Sequence, residues 1–389
     1  MKILVLLSRV PWPLEKGDKL RAFHQIRLLS LKHEIILCCL NDTRLHPEAL
    51  KKLSPYCAEI IIIPLGRLSL FWKIFSGFFS SKPFQVSYFY HKKAQKIIDR
   101  LIEKHLPKHI YCQLIRVAEY AKKYSIIPKT IDYMDAFSTG MVRRAENSPF
   151  YLKPIFLTEA FRLKNYENSI FPTFDNRTII SNQDRNLISH INKETMVVIP
   201  NGVDTDYFKP IGNTKDYDLV FTGNMNYAPN VESAVYLIKE ILPLLMKKFK
   251  DIKVLISGIS PDRKVKMLAS KNVTVTGWVE DMRVSYGRSK IFIAPMKTGT
   301  GLQNKLLEAM AMGLPCITSV LVNNALGAIP DEEILIADSA QQYALKVEKL
   351  LTDNFLSSKI AGKGHLFVQK NYNWHATVSR LNSVLENRN

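Results

Sequence analysis

The 389-residue sequence has few of the residues that build metal centres or covalent frameworks. Its five cysteines include no Cys-x-x-Cys pair, and its nine histidines do not cluster. Neither a zinc site nor a set of disulfides is expected, and the cysteines are typical of buried thiols in a reducing compartment. No window holds the roughly 18 uncharged apolar residues that a spanning helix needs. The N-terminal apolar run, only about six residues long, predicts a first β-strand rather than a signal peptide.

Acidic residues are also scarce, above all in the first half of the chain. The formal net charge is +19, and residues 1–195 carry 31 Lys and Arg against 17 Asp and Glu, a net of +14. This excess indicates an anionic partner, either nucleic acid or a membrane surface. No RNP, KH, zinc-finger or basic-helix signature is present, so nucleic acid is not expected. Aromatic and basic residues interleave through residues 67–93, which is typical of an anionic membrane contact or, equally, of a core helix with a loop.

Short apolar strands alternate with amphipathic helices along the whole chain. This alternation predicts parallel sheets built from βαβ units, and therefore an α/β fold with Rossmann-like, doubly wound domains. The polar, turn-rich stretch after Pro200 is the clearest boundary. The predicted domains are residues 1–200 and 216–365, joined by a hinge over residues 201–215.

The segment from Ala294 to Pro315 reads as a strand end, a glycine-containing loop and a helix. Such a junction directs free backbone N–H groups and the positive helix end towards an anion. Glu308 lies two helical turns after the loop, where its carboxylate can accept hydrogen bonds from both hydroxyls of a ribose. The alternative is that the loop and the amphipathic helix bind no ligand and only pack against the core. The residues predicted to hold a diphosphate are Gly299, Thr300, Gly301, Leu302 and Gln303, with Lys305 adding a positive charge.

The string from Lys305 to Pro315 resembles the donor-binding motif of the retaining glycosyltransferases of family 4 (glycosyl transferases group 1), which have the GT-B fold. Similar strings stand at Ile199–Asp204, Phe221–Asn230, Val275–Val279 and Tyr372–Trp374. Pro11–Arg21 is similar to a loop in a polysaccharide-assembly branch of that family. The resemblance covers nearly the whole chain. It implies two domains facing a central cleft, with residues 366–389 crossing back to the first domain.

The resemblance also implies the reaction. A hexosyl group would pass from a nucleotide diphosphate sugar to a saccharide or lipid-linked acceptor, with retention of anomeric configuration, in polysaccharide biosynthesis. The donor would lie on the second domain and the acceptor on the first. The protein would be cytoplasmic, or peripheral on the inner face of the plasma membrane.

Further site residues follow from the same resemblance. Gly223 would lie beside the donor phosphates, and Gly277, Trp278 and Val279 beside the base. In the first domain, Gly17 would close on the phosphates, while Asp18 and Arg21 would serve the acceptor or leaving group. Asp132 and Asp135 follow a strand whose carboxyl end should reach the cleft, so both are candidates for catalysis beside Lys305. A capping or turn role for either aspartate is the alternative.

Two departures from the family pattern bear on activity. Thr300 stands where a glutamate normally touches the transferred sugar, and Asn224–Asn230 lacks the usual basic pair. Lys305, Arg21 or another cation of the first domain would then neutralise the leaving diphosphate. A non-catalytic nucleotide-sugar-binding subunit and a sugar-nucleotide 2-epimerase therefore stay open as alternatives.

The pair Asp204 and Asp206 has the Asp-x-Asp spacing of a divalent-metal site in another glycosyltransferase fold. Because GT-B enzymes resemble one another in using helix dipoles and cations, neither a metal nor another cofactor is expected. Asp204 is predicted to fix a turn instead.

Overall fold

The structure is a computed structural model that describes residues 1–14, 16–66, 81–146, 148–298 and 301–386. Its internal contacts divide the chain into two compact units. The first unit comprises Met1–Pro200 together with Val378–Asn389, and the second comprises Asn201–Thr377.

The first unit is built on a parallel sheet. Its strands are β1 (Lys2–Leu7), β2 (Glu34–Asn41), β3 (Glu59–Pro64), β4 (His109–Gln113), β5 (Lys129–Asp132), β6 (Asn176–Ile179) and β7 (Val197–Val198). Its helices are α1 (Gly17–Leu29), α2 (Ala49–Leu53), α3 (Phe84–Phe89), α4 (Lys92–His105), α5 (Ala118–Ala121), α6 (Phe137–Glu146), α7 (Lys153–Ile170) and α8 (Asn182–Leu187). The strands lie in the order β3-β2-β1-β4-β5-β6-β7.

The second unit repeats this plan. Its strands are β8 (Tyr217–Thr222), β9 (Val254–Ser257), β10 (Val273–Val275), β11 (Ser289–Ala294), β12 (Cys316–Thr318) and β13 (Leu335–Ile336), in the order β10-β9-β8-β11-β12-β13. Its helices are α9 (Ala228–Tyr236), α10 (Leu242–Met246), α11 (Arg263–Lys266), α12 (Met282–Gly287), α13 (Asn304–Ala311), α14 (Val320–Leu326), α15 (Ala340–Thr352) and α16 (Asn354–Asn371). Helix α17 (Trp374–Leu385) ends the described chain.

The central strands are buried on both faces, which is why they are nearly continuous apolar runs. Ile3 through Leu7 of β1 are at most 2% exposed, as are Leu219 through Phe221 of β8. Each sheet has two neighbouring central strands after which the chain continues to opposite edges of the sheet. These strands are β1 and β4 in the first unit and β8 and β11 in the second. Loops that follow such strands form the crevice where α/β proteins bind ligands. Two parallel, Rossmann-like sheets confirm the predicted fold class.

A buried ion pair anchors α1 to the sheet of the first unit. Arg21 donates to Asp132 at the end of β5 through two hydrogen bonds of 2.6 and 3.3 Å, and neither side chain is exposed. Tyr111 Oη donates to the same carboxylate at 3.0 Å. Burial alone would raise the pKa of Asp132, but the guanidinium and the hydrogen bonds outweigh it and hold the pKa below its usual value.

The segment considered for membrane contact, residues 67–93, is described only from residue 81. Within this part Val86 and Phe89 are buried, and Tyr90 packs against Tyr120 with ring centroids 5.2 Å apart. Of the α3 aromatic residues, Phe89 is therefore part of the core, whereas Phe84 and Tyr88 are half-buried. Among the helices that the structure describes, none combines the length and apolar character needed to span a bilayer.

Asp132→Asn is expected to lower the free energy of unfolding by about 3–5 kcal/mol, because it leaves the buried Arg21 guanidinium without its counter-charge. Urea unfolding of the variant and the wild type measures the loss. Asp251→Asn, a change of the same chemistry at an exposed turn, is the control. If the two variants unfold alike, the pair does not anchor α1.

Candidate functional site

Two glycines bring the strand ends of the second unit unusually close together. Gly223 follows β8 and Gly258 follows β9, with φ of +150° and +147°. A Cβ on Gly258 would lie 1.8 Å from the Gly223 carbonyl oxygen, and a Cβ on Gly223 would lie 2.7 Å from Asn230 Nδ2. No side chain fits at either position, so bare backbone faces the crevice beside β11.

Lys305, in the first turn of α13, reaches this glycine loop. Its ammonium donates to Asn230 Oδ1 and lies 5.0 Å from the centroid of the Phe221 ring. Asn230 Nδ2 in turn donates to the Asn224 carbonyl at 2.9 Å. Lys305 is thus held beside Gly223 by the neutral Asn230 amide, while the negative charge of Glu308 favours its protonated form.

Glu308 lies one turn further along the same helix. Its carboxylate accepts a hydrogen bond of 2.8 Å from Tyr286 Oη, and the Tyr286 hydroxyl also contacts Thr222 Oγ1 at 2.9 Å. Burial raises the pKa of Glu308 to about 7 and lowers that of Lys305 to about 7. Both shifts mean that the surroundings disfavour the charged forms, which is typical of groups that await a ligand.

The predicted phosphate loop is described only in part. Gly299 and Thr300 lie outside the described residues. Gly301 has φ +92°, and its carbonyl accepts from Gln303 Nε2 at 3.2 Å. Helix α13 begins at Asn304 with no side-chain cap, and Leu302 and Gln303 are half-buried just before it. The first N–H groups of the helix are therefore available to an anion.

The loop after β10 presents a different surface. The Gly277 carbonyl accepts from Gly258 N at 3.2 Å, which fixes this loop to the glycine pair. Trp278 is 65% exposed, and Val279 beside it is half-buried. An exposed indole is a flat apolar surface on which a planar base can stack.

The first unit holds the remaining candidates. Gly17 opens α1 and is exposed, with no atom near its Cβ position. Asp18 accepts from Arg9 at 3.2 Å. Arg21 and Asp132 are brought together, but as partners of each other in the buried pair, where no substrate atom can reach them. Their geometry gives them a positioning role.

Asp135 has a different environment from Asp132. Its side chain is exposed to solvent, but the protein atoms around it partly desolvate the carboxyl group. This desolvation, followed by the negative charge of Asp184, raises its pKa to about 7. An accessible carboxyl group with such a pKa can exchange a proton near neutral pH.

Gly202 and Val203 contact Tyr372 and Trp374 within the second unit. A Cβ on Gly202 would lie 2.6 Å from the Trp374 ring, and Val203 N donates to the Tyr372 carbonyl at 2.7 Å. Asp204 Oδ1 accepts from Tyr207 N at 3.1 Å, so it fixes a turn as the sequence predicts. The two motifs are parts of one contact.

Sequence reasoning missed Tyr286, Asn230 as a partner of Lys305, and Gly258. Gly258 directly follows a strand, and Asn230 ends the string Phe221–Asn230. Their positions after predicted strands could have indicated them as site residues. Nothing in the sequence around Tyr286 pairs it with Glu308, because that contact depends on how α12 packs against α13.

Lys305→Met is expected to stabilise the free protein, most strongly near and below pH 7. Lysine in the unfolded chain has a pKa of about 10.4, so between that value and the lowered folded value the unfolded state binds more protons. The wild type therefore gains stability as pH rises through this window, and the advantage of the variant shrinks.

Urea unfolding at several pH values measures this difference. Lys247→Met replaces an exposed lysine of the same unit and is the control. An advantage that stays constant with pH would contradict the lowered pKa of Lys305.

Comparisons with known proteins bear on the family and the fold. Residues 216–353 match the family model described as Glycosyl transferases group 1. The chain is similar to the "uncharacterized 44.6 kDa protein in cps region" of Klebsiella pneumoniae, with 23% identity over 409 residues and 98% of each chain covered.

Two solved structures share the fold over nearly the whole chain. Sucrose-phosphate synthase of Thermosynechococcus elongatus has a TM-score of 0.70 at 16% identity, covering 100% of this chain and 99% of its own. HepE of Anabaena in complex with UDP-glucose has a TM-score of 0.67 at 12% identity, covering 99% of both chains. These likenesses confirm the GT-B fold.

Proposed function

We propose that this chain, whose residues 216–353 match the model of glycosyl transferases group 1, transfers a hexosyl group from a nucleotide diphosphate sugar. The acceptor is a saccharide or a lipid-linked saccharide, and the anomeric configuration is retained. The observation that carries the proposal is the placement of Lys305 beside the backbone of Gly223, with Glu308 one turn further along the same helix. The positive charge of Lys305, which suits a diphosphate, and the Glu308 carboxylate, which can accept hydrogen bonds from ribose hydroxyls, thus lie on one face of α13.

Stabilising the leaving diphosphate is the proposed source of catalysis. Lys305, the open N-terminus of α13 and the backbone of Gly301, Leu302 and Gln303 offer donors to the charge that builds as the glycosidic bond breaks. Gly299 and Thr300 belong to this proposed set. In binding an anion, Lys305 regains the charge that burial disfavours, so donor binding and protonation of this amine are coupled.

The nucleoside occupies the neighbouring positions in this proposal. Glu308 accepts hydrogen bonds from the ribose hydroxyls, and Gly277, Trp278 and Val279 lie along the base. UDP-glucose, the compound bound in the Anabaena HepE structure, is the first donor to test. In this proposal, the nucleotide sugar is held without a metal or other cofactor.

Asp135 is our choice for the group that exchanges a proton on the acceptor side. Its accessible carboxyl group and raised pKa suit that task, whereas the Asp132 carboxylate is paired with Arg21. Gly17 and Asp18 are retained as neighbours of the substrate. Biosynthesis of a cell-surface polysaccharide, carried out in the cytoplasm or at the inner face of the plasma membrane, is the proposed setting, supported by the Klebsiella relative from a cps region.

Glu308→Ala is expected to weaken binding of the nucleotide sugar about 10- to 100-fold at a pH above 7, where the carboxylate is ionised. Hydrogen bonds to a charged group contribute about 1.5–3 kcal/mol each. Isothermal titration with UDP-glucose and with UDP measures the change.

Glu240→Ala, at an exposed position of the same unit, is the matched control. Unchanged affinity in Glu308→Ala would remove the ribose assignment. Donor binding by the wild type without turnover on any acceptor would instead support the non-catalytic alternative, and an epimerised nucleotide sugar formed without acceptor would support the epimerase.

A further inference from the structure

The hydroxyl of Tyr286 lies at the centre of a hydrogen-bond chain in the second unit. Its Oη lies 2.8 Å from Glu308 Oε2, 2.9 Å from Thr222 Oγ1 and 3.3 Å from the Lys305 carbonyl oxygen. A hydroxyl has one proton to donate, and the carboxylate is both the nearest and the strongest of these acceptors. Tyr286 therefore donates to Glu308, which leaves the Thr222 hydroxyl to donate to Tyr286. The chain joins the end of β8 to helices α12 and α13.

The surroundings of Tyr286 keep it in the form that donates. Its side chain is fully buried, and its ring packs against Phe208 and Phe292, with centroids 6.3 and 6.0 Å away. Burial, followed by the negative charge of Glu308, raises the pKa of the hydroxyl well above its usual value. Tyr286 is therefore a fixed donor that does not ionise near neutral pH.

The Glu308 carboxylate depends on this donor for its charge. Burial raises its pKa most strongly, the hydrogen bond from Tyr286 and then the charge of Lys305 lower it, and the balance is a pKa of about 7. Cys316, the other titratable group near Tyr286, is a buried thiol whose pKa burial raises well above the usual value, so it brings no charge. Loss of the Tyr286 hydroxyl would leave only Lys305 to favour the ionised carboxylate.

One oxygen of Glu308 stays available to a ligand. Tyr286 occupies Oε2, whereas Oε1 accepts no hydrogen bond within the described ranges of the chain. The residue is half-buried rather than enclosed. A binding group that is held by a neighbouring hydrogen bond keeps one orientation, so Oε1 has a fixed direction in which to accept a hydroxyl.

We propose that Tyr286 is a positioning residue that aims Glu308 and keeps it ionised, so that the site prefers a ribonucleotide to its 2′-deoxy counterpart at neutral pH. An ionised carboxylate accepts strongly from the 2′ hydroxyl, whereas a protonated carboxyl group loses the charge that makes such a bond strong. The inference rests on the proposed function for the contact with ribose. Control of Glu308 by Tyr286 stands on the hydrogen-bond chain itself.

Isothermal titration of the full chain, at several pH values on both sides of about 7, tests the preference. The probes are UDP, GDP and ADP, each beside its 2′-deoxy counterpart. The ratio of the two dissociation constants isolates the 2′ hydroxyl, because the diphosphate and its contact with Lys305 are common to both ligands. In the wild type, the ratio should rise about tenfold as the pH increases through about 7 and Glu308 ionises.

Tyr286→Phe should lower this ratio about threefold or more near neutral pH and move the midpoint of its rise upward by about one pH unit. The reason is that Glu308 then lacks the donor that favours its charge. Tyr343→Phe is the matched control, because Tyr343 is buried in the same unit and its hydroxyl has no partner among the described residues. The control should leave the ratio and its midpoint unchanged. If Tyr286→Phe weakens binding of both ligands without moving the midpoint, the positioning role is wrong.

Glu308→Gln separates this inference from the proposed function. It should abolish the pH dependence of the ratio, and Tyr286→Phe added to it should have no further effect, because Tyr286 acts through Glu308. A ratio that survives Glu308→Gln unchanged, or a wild type that binds none of the nucleotides, would refute the ribose assignment of the proposed function. Loss of the preference in Glu308→Gln but not in Tyr286→Phe would refute this inference alone.

Urea unfolding without nucleotide gives a second readout. Glutamate in the unfolded chain has a pKa of about 4.3, so between that value and the raised folded value the folded state binds more protons and stability falls as pH rises. Tyr286→Phe extends this fall to higher pH. Its deficit against the wild type should therefore grow as pH rises through about 7, whereas the deficit of Tyr343→Phe should stay constant. A deficit of Tyr286→Phe that does not change with pH would overturn the inference even where no nucleotide binds.

Discussion

The close approach of Gly258 to Gly223 is the constraint on which the candidate donor site depends. With only 1.8 Å between a Gly258 Cβ position and the Gly223 carbonyl oxygen, the two loops can meet only as bare backbone. That meeting places the Gly223 loop against Asn230, and Asn230 holds the Lys305 ammonium. The Gly277 loop is fixed to Gly258 by its carbonyl. Three strand ends and one helix are thereby held in one arrangement before any ligand arrives.

The chemistry of the site is set by burial as much as by residue identity. Lys305 and Glu308 have pKa values displaced in opposite directions towards neutrality. Both displacements cost folding stability, which burial of the central apolar residues of β8 and β11 offsets. Groups held in this state gain from a ligand that restores their charge, so the same burial that weakens the empty protein strengthens its preference for an anion with neighbouring hydroxyls.

Much of the architecture could be predicted from the sequence because the signals are local. Apolar runs flanked by turns marked the strands, and the Lys305 to Pro315 string marked α13 with its ligand-facing residues. Other contacts could not be predicted, because they join residues far apart in sequence. Nothing near Asp132 or Arg21 indicates that each neutralises the other, and nothing near Phe89 indicates that it packs inward. The exposure of Leu157 and Phe161 on α7 could not be predicted, since a long amphipathic helix normally buries its apolar face.

The uneven charge of the chain has a structural counterpart. Many basic residues of the first unit lie in ion pairs at its surface, such as Lys104 with Glu59 and Lys123 with Asp99. Surface pairs of this kind contribute little energy and leave little net field. Arg116 differs, because its guanidinium is held by the neutral Gln85 amide and lies over aromatic rings. It follows β4 at the switch point of the first sheet, just as Lys305 follows β11 at that of the second. Each sheet presents its cation at the edge where the strand order diverges, so one folding rule supplies an anion-seeking position in both units.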